Sequence, residues 1–189
     1  PERAQLLTAL TKFALDKGGD ASKWLKELRE VADDSPELRS LAGLVQADSG
    51  DPEVAATGLE QVLDEATTDE EKVAILDKLA SLYQGNINRP TRAIAAYQKI
   101  LKIEPTRSNV QQKLADLFRA RGSVEALVET LRKWLNALPE GPEKVPVMAQ
   151  LAQAQIEFGD QGQALATLEK AYELDRNTLE INQPLASLL

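Results

Sequence analysis

Leu79-Ala80-Ser81-Leu82-Tyr83, then a turn, then Arg92-Ala93-Ile94-Ala95-Ala96-Tyr97-Gln98-Lys99-Ile100, closing at Glu104-Pro105, is the stretch whose reading decides the fold. Ala93, Tyr97 and Ile100 recur at helical spacing and make one apolar stripe on the second segment. Pro105 ends that segment, because proline cannot continue a helix. The local unit is two helices joined by a short turn.

The same skeleton returns downstream as Leu114-Ala115-Asp116-Leu117-Phe118, Gly122 and Ala126-Leu127-Val128-Glu129-Thr130-Leu131. It returns again as Leu151-Ala152, Gly159-Asp160, Ala164, Leu168 and Ala171. Upstream it reads Leu41-Ala42, Gly50-Asp51, Ala55, Leu59 and Val62, and more weakly Phe13, Gly19-Asp20, Trp24, Leu28 and Val31. The second-helix anchors Trp24, Ala55, Ala93, Leu127 and Ala164 stand 31, 38, 34 and 37 residues apart. That is a helical repeat in register over nearly the whole chain.

These residues resemble the tetratricopeptide repeat family, which pairs Leu-Gly/Ala and an aromatic on the first helix with Ala, an aromatic and Ala on the second, then Pro. Ala80, Tyr83, Ala93, Tyr97 and Pro105 match best. The resemblance implies an all-α fold, a right-handed α-solenoid of antiparallel helix pairs. Copies are expected at residues 2–33, 35–66, 69–104, 106–138 and 142–175, with a partial sixth at 177–189. Both ends look cut, as in a piece of one longer solenoid. A longer echo, Glu71-Lys72-Val73 against Glu143-Lys144-Val145, suggests a double repeat with alternating long and short inter-helix turns, like long bacterial multi-repeat members of the family.

Start signals are spaced along the chain. Ser35-Pro36-Glu37 and Asp51-Pro52-Glu53 put a capping side chain before a proline in the first helical turn. Thr68-Asp69-Glu70-Glu71 reads as a capping box, and Asp20, Ser123 and Asp160 as further caps. Ala42, Ala80, Ala115 and Ala152 fall where the two helices of a pair approach, so larger side chains there should overpack.

Chemistry is thinly represented. The 189 residues contain no Cys and no His, which removes thiol nucleophiles, Ser-His triads and the common zinc and haem ligands. Asp33-Asp34 and Asp69-Glu70-Glu71 fall at helix ends, where acids meet the dipole or water. No catalysis, metal or cofactor is expected. A net charge of -8 and the lack of a basic cluster disfavour nucleic acid, and no apolar run is long enough to span a bilayer. The composition leaves the compartment open; the cytoplasm is the first expectation and the periplasm the second. Trp24 and Trp134 lie on second helices and are expected in the core.

By the resemblance, first helices line a concave groove, which places Arg39, Gln46, Asp77, Ser81, Gln84, Asn109, Gln112, Asp116, Arg119 and Gln153 toward it. Amides dominate that set, and an amide both donates to and accepts from a peptide backbone. The expected partner is a protein or peptide segment near Gln84, Asn109, Gln112 and Arg119, held by a non-catalytic scaffold or adaptor. Family members that grip a C-terminal carboxylate use a Lys, Asn and Arg clamp. Here Gly43 and Lys78 stand where the two clamp Asn residues belong, so a chaperone-tail receptor is not expected. The alternatives are a targeting arm of a larger enzyme and a self-assembling module that forms homo-oligomers through its solenoid ends.

Overall fold

The computed structural model describes residues 2–48, 50–176 and 178–188. Pro1, Asn177 and Leu189, the last two bounding the expected partial sixth copy, lie outside them. Among the described residues the chain is all helical: α1 (Glu2–Asp16), α2 (Ser22–Val31), α3 (Pro36–Ala47), α4 (Pro52–Glu65), α5 (Asp69–Gln84), α6 (Pro90–Ile103), α7 (Ser108–Ala120), α8 (Val124–Ala137), a 3-10 turn at Pro142–Lys144, α9 (Val145–Phe158), α10 (Gln161–Leu174) and α11 (Leu179–Leu188). Two compact units are present, Pro1–Ile103 with α1 to α6 and Glu104–Leu189 with α7 to α11.

Within each unit the helices pack serially, each on its neighbours in sequence. No helix pair closes a core alone. Leu7, Leu28 and Leu41 bring α1, α2 and α3 together. Ala115, Leu131 and Leu151 do the same for α7, α8 and α9, and Ala152, Leu168 and Ile181 for α9, α10 and α11. Each apolar cluster therefore needs the next hairpin to shield it, which is the physics of a solenoid. Ala80, Ala115 and Ala152 are fully buried and Ala42 nearly so, as close helix approach requires. Trp134 is buried and Trp24 half-buried.

Side-chain caps mark the starts of α3, α4, α5 and α10. Ser35 Oγ accepts from Leu38 N at 3.2 Å, and Asp51 Oδ1 from Glu53 N at 2.9 Å. Thr68 and Glu71 form the complete reciprocal box at the start of α5. Asp160 caps α10 through Gln163 N at 3.0 Å. Two expected caps differ. Ser123 makes no side-chain cap bond, although its backbone (ψ 71°) matches that of Asp160 (ψ 70°). The carboxylate is one bond longer than the hydroxyl and reaches the first turn from that geometry. Asp20 sits one residue before the cap position of α2 and accepts from Ser22 N at 3.0 Å. The longer echo pairs the α5–α6 copy with the α9–α10 copy, but their connections, 85–89 and 159–160, differ in length, so the two copies do not share a turn. Gly122 and Gly159 permit the tightest turns by taking φ of 66° and 88°.

One crossing is closer than the rest. Gly43 in α3 faces Gly58 in α4 with the two backbones in contact. A Cβ on Gly43 would stand 2.6 Å from the Gly58 carbonyl oxygen and 2.7 Å from Val62 Cγ2. A Cβ on Gly58 would meet Gln46 Cβ at 2.6 Å and Ala47 N at 2.7 Å.

Candidate partner-binding surface

An open cleft of about 1070 Å³ lies among α1, α3, α4 and α5. Its floor is apolar, with Leu15 from α1, Leu44 and Ala47 from α3, Ala55 and Leu59 from α4 and Leu82 from α5. Its rim is charged and polar: Lys12, Asp16, Asp48, Asp77, Lys78, Ser81 and Asn86. Leu44 is 42 % exposed although its neighbour Gly43 is buried, so a large apolar side chain is held open to water in the cleft. A leucine floor beneath charges of both signs can bury apolar side chains of a partner while the rim selects their flanks.

The residues singled out by repeat position fall into separate places. Asp77 and Ser81 line the cleft. The Ser81 hydroxyl donates to the Asp77 carbonyl at 2.9 Å. Arg39 and Gln46 do not line it. They lie with Gly43 on the face of α3 that packs against α4, so Gln46 Cβ lies over Gly58. Arg39 donates to Glu65 at 2.8 Å and to Asp34 at 3.0 Å, and these acids, Glu65 first, raise its pKa.

The amides are largely engaged within the protein. Gln84 Oε1 accepts from the Tyr97 hydroxyl at 2.9 Å. Tyr97 is buried on α6, and burial pushes its phenol pKa up, aided by the charge of Asp77. In the other unit Gln112, Asp116, Arg119 and Gln150 close a ring across α7 and α9. Asp116 Oδ1 accepts from Gln112 Nε2 and from Arg119 Nη1, each at 2.9 Å. Arg119 Nη2 donates to Gln150 Oε1, and Gln150 Nε2 to Gln112 Oε1, each at 3.1 Å. Gln153 donates to Glu157 at 3.1 Å, and Asn109 is exposed in the first turn of α7.

Another polar junction ties neighbouring hairpins. Tyr83, buried on α5, donates to Glu60 of α4 at 2.6 Å, and Arg92 of α6 donates to both Glu60 (3.1 Å) and the Tyr83 oxygen (3.0 Å). Burial first, then the Glu60 bond, raises the Tyr83 pKa. Among the described residues no group of His, Cys, Asp or Glu is placed to hold a metal ion, and no helix is long and apolar enough to cross a membrane.

Serial antiparallel helix pairs, packed through small residues and sharing cores hairpin to hairpin, define a helical-repeat solenoid. The tetratricopeptide repeat model matches residues 73–107 and 145–178, so these two stretches are read as tetratricopeptide repeats. The fold is similar to the crystal structure of MamA protein, at 19% identity, a TM-score of 0.53 and 93% coverage of each chain. MamA from Desulfovibrio magneticus RS-1 (residues 41 to the end) has 19% identity and a TM-score of 0.51, covering 95% of this chain and 98% of that one. The C-terminal part of a TPR repeat-containing protein from Cytophaga hutchinsonii has 17% identity and a TM-score of 0.56, covering 98% of this chain and 68% of that one. No curated protein matches the chain in sequence.

Proposed function

We propose that this chain is a non-catalytic interaction scaffold that holds an amphipathic segment of a partner protein in the cleft of α1, α3, α4 and α5. The observation that carries it is the apolar floor of Leu15, Leu44, Leu59 and Leu82 beneath a charged rim. The helix-pair fold supports the same reading, because solenoids use extended concave surfaces for binding. The occupant is a peptide or helix that offers two or more apolar side chains to the floor. Its acidic flank meets Lys12 and Lys78, and its basic flank meets Asp16 and Asp48.

The test is selection of peptides from a random displayed library, followed by titration of the winners. Leu44→Asp puts a charge on the floor, and Ser81→Arg fills the rim; both positions are exposed, so folding is retained. Each change should weaken binding about tenfold or more, equivalent to a lost central contact of ~1.4 kcal/mol. Asn109→Ala with Gln112→Ala reads whether α7 takes part as well. Peptides that bind every cleft variant unchanged would place the binding surface elsewhere.

A further inference from the structure

The cleft of α1, α3, α4 and α5 offers little to a peptide backbone. Ser81 and Asn86 are the two neutral hydrogen-bonding side chains that line it. The Ser81 hydroxyl already gives its proton to the Asp77 carbonyl at 2.9 Å. The charged rim groups stand in water, where bonding a neutral amide only exchanges one partner for another. Every regular element among the described residues is helical, so no strand edge is offered either. An extended segment on the leucine floor would carry an N–H and a C=O per residue, each costly when it loses water without a partner. A helix brings those groups already bonded to each other.

The shape agrees. Pro52, Ala55 and Leu59 line the cleft over two turns of α4, a width of about 10 Å. A helix with its side chains is ~10–12 Å across, whereas a strand takes up only about 5 Å. Across α1, α3 and α5, ordinary helix spacing makes the cleft about 20 Å long, room for about 13 residues of helix. Charge is sorted between the two long edges. Asp16 ends α1 and Asp48 caps the end of α3, so that edge is acidic. Lys12 lies one turn back on α1 and Lys78 more than a turn back from the end of α5, so the opposite edge carries the lysines, offset in part by Asp77. Lys12, Asp16, Asp48 and Lys78 form no ion pair among the described residues, which leaves their charge to a partner. We infer that the occupant is an amphipathic helix of about 13 residues lying across α1, α3 and α5, with a basic flank along Asp16 and Asp48 and an acidic flank along Lys12 and Lys78. This rests on the cleft as the docking surface and commits it to a helical occupant over an extended one. Apolar residues at i, i+3, i+4 and i+7 reach the floor together from one face of such a helix.

Two displayed peptide libraries of equal length and composition test it, one with apolar residues at i, i+3, i+4 and i+7 and the other in strict alternation. Binders are selected on the parent chain, and those that Leu44→Asp abolishes are kept as cleft binders. They should come from the helical library. Their affinity should rise when an i,i+4 staple on the polar face fixes the helix. It should fall about tenfold or more with a proline at a polar position in mid-peptide, and about tenfold with Asp48→Lys. Cleft binders from the alternating library, or binders indifferent to the proline or to Asp48→Lys, would overturn the helical occupant and leave the cleft reading standing. If neither library yields a binder sensitive to Leu44→Asp, the cleft reading itself fails, and this inference with it.

Discussion

Replacing Gly43 by alanine should destabilise the protein, although glycine to alanine in an open helix stabilises by about 1 kcal/mol. The new Cβ would lie 2.6 Å from the Gly58 carbonyl oxygen, 2.7 Å from Val62 Cγ2 and 3.3 Å from Gln61 Cβ. Relaxed carbon contacts begin near ~3.5 Å, so something must retreat by about 1 Å. Val62 can turn its side chain, but the carbonyl moves only with α4 itself. Overpacking of this kind costs ~1–3 kcal/mol, and a backbone neighbour points to the upper end. Subtracting the propensity gain leaves a net loss of ~2 kcal/mol, a fall in melting temperature of about 4–8 °C for a protein of this size. Thermal and urea unfolding followed by circular dichroism read it directly. Gly162→Ala is the control: a Cβ there would stand 4.0 Å from Asp160 Oδ1, so it should hold or raise stability. The double variant with Gly58→Ala should lose less than the sum of the singles, since α4 has already moved. A Gly43→Ala protein that melts at or above the parent would refute the backbone contact.

Four further outcomes follow from the packing and the caps. Ala80→Leu and Ala115→Leu insert bulk at fully buried crossings and should each cost ~1–3 kcal/mol in a denaturant melt; no loss would contradict the register. Thr68→Ala removes one half of the capping box and should cost ~1 kcal/mol in the same assay. The Glu71 carboxylate accepts from the Thr68 and Thr67 N–H groups, which hold its pKa below the ordinary carboxylate range. Its contribution is present above that ordinary range and is lost as pH falls through the lower folded-state value, so the urea midpoints of the parent and Glu71→Gln should converge on acidification. Tyr83→Phe deletes the hydroxyl shared by Glu60 and Arg92 and should cost ~1 kcal/mol; an unchanged melt would mean that this junction does not couple the hairpins.

The helices were legible because small, apolar and capping residues recur with the period of a hairpin. Ala80 and Ala115 mark the crossings, and Thr68-Asp69-Glu70-Glu71 marks the start of α5 in sequence just as in structure. Ser123 was misleading because a hydroxyl and a carboxylate read alike as caps, while only the longer side chain reaches across the turn at that backbone angle. The exposure of Phe13 on α1 was hidden for a different reason. Phe13 fits the repeat as its first-helix aromatic, and only the burial of Leu7, Thr11 and Ala14 shows that it faces away from the unit.

The candidate site was the least legible part, and Gly43 explains why. Assigning Arg39 and Gln46 by repeat position assumes that α3 presents the same face as α5, where Asp77 and Ser81 do line the cleft. Ser81, Asp116 and Gln153 occupy the position of Gly43 in the other copies and carry side chains there. Bare Gly43 instead lets α4 close on that face, and Arg39 and Gln46, one turn to either side, go with it. The cleft face of α3 becomes Leu44 and Ala47, two residues that no polar pattern selects. A signal was present in the sequence. Two glycines in the interiors of consecutive helices each cost about 1 kcal/mol against alanine, a cost that close backbone approach offsets. Sequence also lists donors and acceptors without saying which already hold each other. Gln84 meets Tyr97 and Gln112 meets Asp116 and Gln150, so a partner at those positions must first displace bonds the protein has made for itself. The leucine floor carries no such cost, and binding is therefore expected to concentrate there.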